Sequence, residues 1–210
     1  ITGIDNLTFS GSYSKNNLWA WFNYGVDNST GCVDNTTMVS GFSIGSTSAP
    51  TGSNSMIWEW VVTSSSSIAQ NYKFYSDTSC QTEIATLTLG YTDFTVGDNV
   101  TGLSTTVTGK SGTYPSTATK VTYKNTCNII KGSTAAGVTY LDTLFGGALD
   151  LVVGTEYKCQ NSGSTKYLLM KAWDTSALSV GTDGIWYYED SETAYPTDWT
   201  SDVNTWTKLP

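Results

Sequence analysis

Ser55-Met56-Ile57-Trp58-Glu59-Trp60-Val61-Val62-Thr63 is the stretch on which the reading of the whole chain turns. Successive side chains of a strand point to opposite faces, so Met56, Trp58, Trp60 and Val62 share one face and Ile57, Glu59 and Val61 the other. Both faces are largely apolar. The same is true of 18–25, where Trp19 and Trp21 oppose Leu18, Ala20, Phe22 and Tyr24, and of Ile185 and Tyr187 against Trp186 and Tyr188. A sheet with one face in water alternates apolar with polar, so strands apolar on both faces are covered on both. Either a second layer packs outside, or the inner face lines a cavity.

The composition agrees with an all-β chain. Of 210 residues, 35 are Thr and 26 Ser, and aromatics make up 13%, the same share as charged residues. Threonine, tyrosine and tryptophan fit a pleated, half-buried surface better than a helix. This length suits one sandwich or barrel, so residues 1–210 are read as a single domain. All 10 basic residues are lysine, against 18 acidic ones, for a net charge of −8. Histidine and arginine are absent, which excludes Ser/His/Asp and Cys/His nucleophilic centres and His-ligated zinc. The missing guanidinium and the acidic balance also argue against a nucleic-acid partner.

Cys32, Cys80, Cys127 and Cys159 are an even number at wide spacings, without the C-x-x-C pair of a zinc or redox site. Two structural disulfides are expected, Cys32–Cys80 and Cys127–Cys159, because that connectivity staples each half of the chain to itself. Each closes a long loop, worth about 4 kcal/mol in the chain-entropy model. Asn6, Asn28, Asn35 and Asn99 each begin an N-x-[ST] glycosylation acceptor. No apolar run approaches the length of a membrane span. The expectation is a mature secreted protein whose signal was removed before Ile1.

Turn clusters recur about every ten residues, the spacing of antiparallel hairpins. They divide the chain into strands near 5–13, 18–25, 36–45, 55–63, 68–76, 83–96, 100–108, 118–126, 166–173, 184–189 and 203–209. One segment departs from the pattern. Ser133-Thr134-Ala135-Ala136 begins like a capped helix, Val138, Leu141, Leu144 and Phe145 recur at helical spacing, and Gly146-Gly147 supplies a stop. A single short helix is expected there, with its apolar face lying on the core as a lid or plug.

Tyr72-Lys73-Phe74-Tyr75-Ser76-Asp77-Thr78-Ser79-Cys80, followed by Ile84 to Leu89 and Phe94-Thr95-Val96-Gly97, resembles a recurring hairpin of calycin-type barrels. Ala118 to Tyr123, the helical segment, Cys159, Leu168-Leu169-Met170, Gly184 to Tyr188 and Trp206 to Leu209 follow the same plan. Over residues 55–210 the chain is similar to the lipocalin-like barrel of the adenomatosis polyposis coli down-regulated protein family and its small secreted bacterial relatives. It departs from classical lipocalins, since Gly11-Ser12-Tyr13 lacks their tryptophan and the stacking arginine is missing. The resemblance implies a single antiparallel calycin-like barrel with one short helix.

A barrel of about eight strands leaves room for one small molecule. The expected function is therefore that of a non-catalytic extracellular carrier for an apolar or planar ligand, a lipid, isoprenoid or pigment. Trp58, Trp60, Phe74, Leu87, Leu89, Tyr123, Leu169 and Trp173 are the candidate lining. Lys73 and Lys171 are the cations expected to meet a carboxylate or phosphate head. A carbohydrate-active sandwich is the first alternative, because glycoside hydrolysis needs only two carboxylates and Trp58-Glu59-Trp60 sets one among sugar-stacking rings. Glu189, beside Tyr187-Tyr188, would be the second. A lectin or surface-layer module presenting Trp199 is another alternative. Asp27, Asp34, Asp98 and Asp183 lie in loop-like contexts without a calcium-loop pattern, so no metal is expected.

Overall fold

A computed structural model describes residues 2–4, 7–8, 12–15, 31–34, 36–110, 113–158, 163–173, 185–201 and 203–208. The first half contains β1 (Thr2–Ile4), β2 (Leu7–Thr8), β3 (Ser12–Lys15), β4 (Cys32–Val33), α1 (Thr36–Gly41), β5 (Ser43–Ile44), β6 (Thr47–Ser48), β7 (Ser55–Ser64), β8 (Ser67–Tyr75) and β9 (Glu83–Thr101). Then come β10 (Thr117–Gly132), α2 (Ala135–Leu144), β11 (Glu156–Lys158), β12 (Thr165–Trp173), β13 (Ile185–Ser191) and β14 (Asn204–Lys208). The protein is mostly β, and every strand pairing is antiparallel.

β7, β8 and β9 form a meander in which Trp60 faces Gln70 and Tyr72 faces Leu87 across the ladders. β9 then runs beside β10 over nearly its whole length, from Ala85 opposite Gly132 to Thr101 opposite Thr117. On its other edge β10 carries β12 along Thr119–Lys124 and β11 along Ile129–Lys131. β12 pairs with β13, β13 with β14, β14 with β3, and β3 with β7. The succession of neighbours thus begins and ends at β3.

β7 is buried on the side of Met56 and Trp60 and, on its other side, at Ile57 and Glu59. On one face lie two adjoining clusters. The first holds Trp60, Ile68, Tyr91, Phe94, Val121, Tyr123, Leu168 and Met170. The second gathers Val39, Phe42, Met56, Phe74, Leu87 and Leu141 from the sheet and both helices, and Trp58 and Leu89 touch both clusters. Residues such as Trp60, Phe74 and Met56 are removed almost wholly from water, each worth roughly 1.5–3 kcal/mol of transfer free energy. On the opposite face, Ala118 and Leu169 lie beneath Leu103, Val107, Tyr114, Trp199 and Val203. Residues of 102–110 and 113–116, with Trp199 and Val203, form this outer cover. Trp199 Nε1 donates to Pro115 O at 2.7 Å, and Asp198 accepts from the Ser104 amide at 2.7 Å and from the Ser104 hydroxyl.

The expected strands at 55–63, 68–76, 118–126, 166–173, 184–189 and 203–209 correspond to β7, β8, β10, β12, β13 and β14. Three others are corrected. Residues 36–41 form α1, which buries Val39 and leads into the buried Phe42, whose amide donates to the Val39 carbonyl at 3.2 Å. The strand expected near 100–108 ends at Thr101. The one expected near 83–96 continues through Gly97-Asp98-Asn99, where pairing of Asn99 with Thr119 overrides the local turn signal. The stretch near 5–13 is divided among β1, β2 and β3, and 18–25 lies outside the described residues.

α2 starts where its cap predicts, with the Thr134 side chain accepting from the Gly137 amide at 3.1 Å. Its buried residues are Gly137, Tyr140 and Leu141, while Phe145 is exposed. Gly137 is what lets the helix dock. A Cβ there would lie 2.0 Å from the Ile84 carbonyl oxygen of β9. The Cys32–Cys80 disulfide is present and packs with Ile57 and Tyr75. Cys159 lies outside the described residues, as do Asn6, Asn28, Asn35, Asp27 and Asp183. Asn99 is exposed on β9. No helix among the described residues is long and apolar enough to cross a membrane.

Candidate ligand-binding face

Of the ten side chains expected to line a site, six gather on one face. Trp58, Trp60, Phe74, Leu87, Leu89 and Tyr123 all belong to the two adjoining clusters. Alternation explains the grouping: 58 and 60 on β7, 87 and 89 on β9, and 74 on β8 hold the parity that points to this side. Their rings meet in two groups. Trp58 stacks on Tyr72 with centroids 4.9 Å apart, Trp60 on Tyr91 at 5.7 Å, and Tyr91 meets Tyr123 at 4.5 Å.

A polar seam crosses this aromatic face, and Gln70 is its centre. The Tyr91 hydroxyl donates to Gln70 Oε1 at 2.7 Å, and Gln70 Nε2 donates to the Tyr72 hydroxyl at 3.1 Å. Gln70 is buried, so both ends of its carboxamide are satisfied within the apolar interior, as burial demands. Burial, followed by the neighbouring Tyr91 and Tyr140, pushes the Tyr72 hydroxyl far above the ordinary tyrosine range. Sequence reasoning passed over Gln70, Tyr72 and Tyr91. The signal was the alternation itself: 68, 70, 72 and 74 share a parity, and Gln70 is the one polar member.

Neither expected cation is on this face. Lys73 lies on the other side of β8, where its Nζ is 2.8 Å from Glu59 Oε1, which also accepts from Asn71 Nδ2 at 3.1 Å. Lys171 donates to Thr117 Oγ1 at 3.1 Å on the side of Leu169. Leu169 itself is under the outer cover, one residue out of phase with Leu168 and Met170. The lysine in phase with Leu168 is Lys166, opposite Tyr123 in the ladder and paired with Glu192. Its side chain is only 13% exposed, so this ion pair sits at the rim of the aromatic face. Trp173 ends β12 opposite Ile185; the position of its side chain lies outside what is described.

The carboxylates of the alternative readings are also placed. Glu59 is buried and engaged by Lys73 and Asn71. Glu189 is opposite Leu169 in β13, and β14 and β3 intervene between β13 and β7. Trp199, within the outer cover, is 5% exposed.

Among the described residues, two clefts open elsewhere on the surface. One, of about 590 Å³, lies between residues 46–51 and α2 and is lined mostly by serine and threonine. Tyr140 contributes to its wall, with a hydroxyl that is buried and has no hydrogen-bond partner among the described residues. The other, of about 260 Å³, is apolar and lies between β10, β11 and the segment after α2.

No protein-family model matches the chain, and no characterised protein is significantly similar to it.

Proposed function

We propose that this protein is an extracellular, non-catalytic carrier of one small apolar or planar molecule, held against the aromatic face of a closed calycin-type barrel. The observation that carries the reading is the pair of ring groups, Trp58 with Tyr72 and Trp60 with Tyr91 and Tyr123, joined through Gln70 and all on one side of the strands. Closure is supported by the return of the pairings to β3 through β7, β8, β9, β10, β12, β13 and β14. A ring of about eight strands encloses space for packed side chains and at most one small ligand.

Such a ligand is held mainly by aromatic contact and exclusion of water. The hydroxyls of Tyr72 and Tyr91 and the Gln70 carboxamide supply fixed polar points, and Lys166 at the rim supplies the cation for an acidic head group. Titration with retinoid and fatty-acid probes, read by tryptophan fluorescence, tests this. Saturable one-to-one quenching is expected, with Lys166→Met weakening acidic probes by roughly five-fold relative to their alcohols, the scale of one partly exposed ion pair. Absence of uptake by every probe would reject the carrier reading.

A further inference from the structure

The exposed large hydrophobic residues among those described are Phe145, Leu149, Val152 and Val153, and all four fall within nine residues of one another. Scattered single apolar residues on a surface need no explanation, but a contiguous group does. Two of the four, Phe145 and Leu149, line a cleft, and Val152 and Val153 lie beside it in the chain. The Val152 amide donates to the Tyr157 hydroxyl at 2.9 Å, the Leu149 amide to Asp142 Oδ1 at 2.8 Å, and the Gly154 amide to the Gly132 carbonyl at 2.8 Å. Those bonds tie the segment to α2, to Tyr157 and to the end of β10 at Gly132, and the apolar cleft of about 260 Å³ lies between the segment, β10 and β11.

Ile130, Leu151 and Tyr157 give the cleft its inner apolar walls, where they also meet the main core. Phe145 and Leu149, 38% and 39% exposed, stand at its mouth. The cation in the lining is Lys158, whose side chain is 69% exposed and whose Nζ is 3.9 Å from Glu156. That separation is too long for a tight pair, so the ammonium remains available to another carboxylate.

We propose that this cleft is a binding site for a medium-chain monocarboxylate, separate from the aromatic face. Its volume is about that of nine water molecules at roughly 30 Å³ each, and a methylene group is of similar size. A chain of about eight to ten carbons therefore fills it. The apolar walls take the chain, and Lys158 at the rim takes the carboxylate. The overall charge of −8 argues against an anionic membrane surface as the occupant.

The test is a titration of the full chain with decanoate and with decanol, followed by amide and methyl NMR shifts. Saturable shifts are expected at Phe145, Leu149, Leu151, Tyr157 and Lys158, following a binding curve of their own that is distinct from any shift of Trp60 and Tyr91 on the aromatic face. Lys158→Glu should weaken decanoate roughly five-fold and leave decanol unchanged. Leu149→Glu, at an exposed position that does not threaten the fold, should weaken both by more than ten-fold. Shifts confined to Trp60 and Tyr91 would overturn the proposal while supporting the carrier reading of the aromatic face. Equal decanoate affinity in Lys158→Glu would overturn it. So would sedimentation with neutral phosphatidylcholine vesicles in the absence of saturable decanoate binding, which would make the patch a lipid-surface contact.

Discussion

Tyr91 and Tyr140 are both buried tyrosines, and their hydroxyls differ in what they bond. Tyr91 donates to Gln70, whereas the Tyr140 hydroxyl has no partner among the described residues. Removing one partner of a buried bond leaves the other unsatisfied, while removing an unpaired polar atom relieves its desolvation. Tyr91→Phe should therefore cost about 1–2 kcal/mol in urea unfolding, and Tyr140→Phe should be neutral or stabilising. A similar contrast holds for the lysines. Lys73→Ala strands a buried Glu59 and should cost about 1–3 kcal/mol, whereas Lys124→Ala, from an exposed pair 3.3 Å from Asp93, should change stability by less than about 0.5 kcal/mol. Equal effects of the two lysine substitutions would show that Glu59 gains nothing from its partner. At this scale alternation placed Trp58, Trp60, Leu87 and Leu89 correctly on one side. It missed Leu169 and Lys171 because phase within a short apolar run is fixed by the partner strand, and Leu168-Leu169-Met170 offers no polar residue to break the tie.

Among the elements, α2 was legible in detail because its signals are local: a threonine cap, helical spacing and a glycine pair at φ +94° and +77°. Its docking was not legible, since nothing local marks Gly137 as the contact with Ile84. Gly137→Ala should cost about 2–4 kcal/mol by forcing the helix away from β9. Gly41→Ala, at the end of α1 with nothing within 4 Å, should be neutral or stabilising by up to about 1 kcal/mol. Thermal unfolding of the two variants checks both. β9 was the least legible element. It contains Gly97-Asp98-Asn99 and a left-handed Asp93 at φ +55°, both turn signals. Only the long ladder with β10, bulged between Thr122 and Lys124, keeps it a strand.

For the whole molecule, the buried tyrosines set an upper limit of pH. Burial, then the carboxylates of Glu83, Glu59 and Asp77, pushes Tyr75 up to about 12, and burial raises Tyr72 and Tyr140 further. Their unfolded counterparts ionise near pH 10. A pKa raised by folding contributes stability that is complete below the unfolded value and is lost as pH climbs towards the folded one. Alkaline unfolding should thus set in between about pH 10 and 12, with phenolate absorbance rising in step with loss of circular dichroism. Smooth ionisation of all tyrosines near pH 10 with the fold intact would show that these hydroxyls reach water. The all-β character was legible from composition and alternation, and burial on both sides of β7 from its paired apolar faces. The outer cover over β10 and β12 was not, because 102–110 and 113–116 form no regular element and carry no periodic pattern.

The carrier reading stands or falls on whether the aromatic face accepts a molecule. Native mass spectrometry of the protein purified from its source measures this most directly. The account predicts a single extra mass of small-molecule size, released on unfolding and absent after exhaustive extraction with organic solvent. A bare polypeptide mass, together with no regain of mass on incubation with retinoids or fatty acids, would contradict it and leave the rings as a filled core.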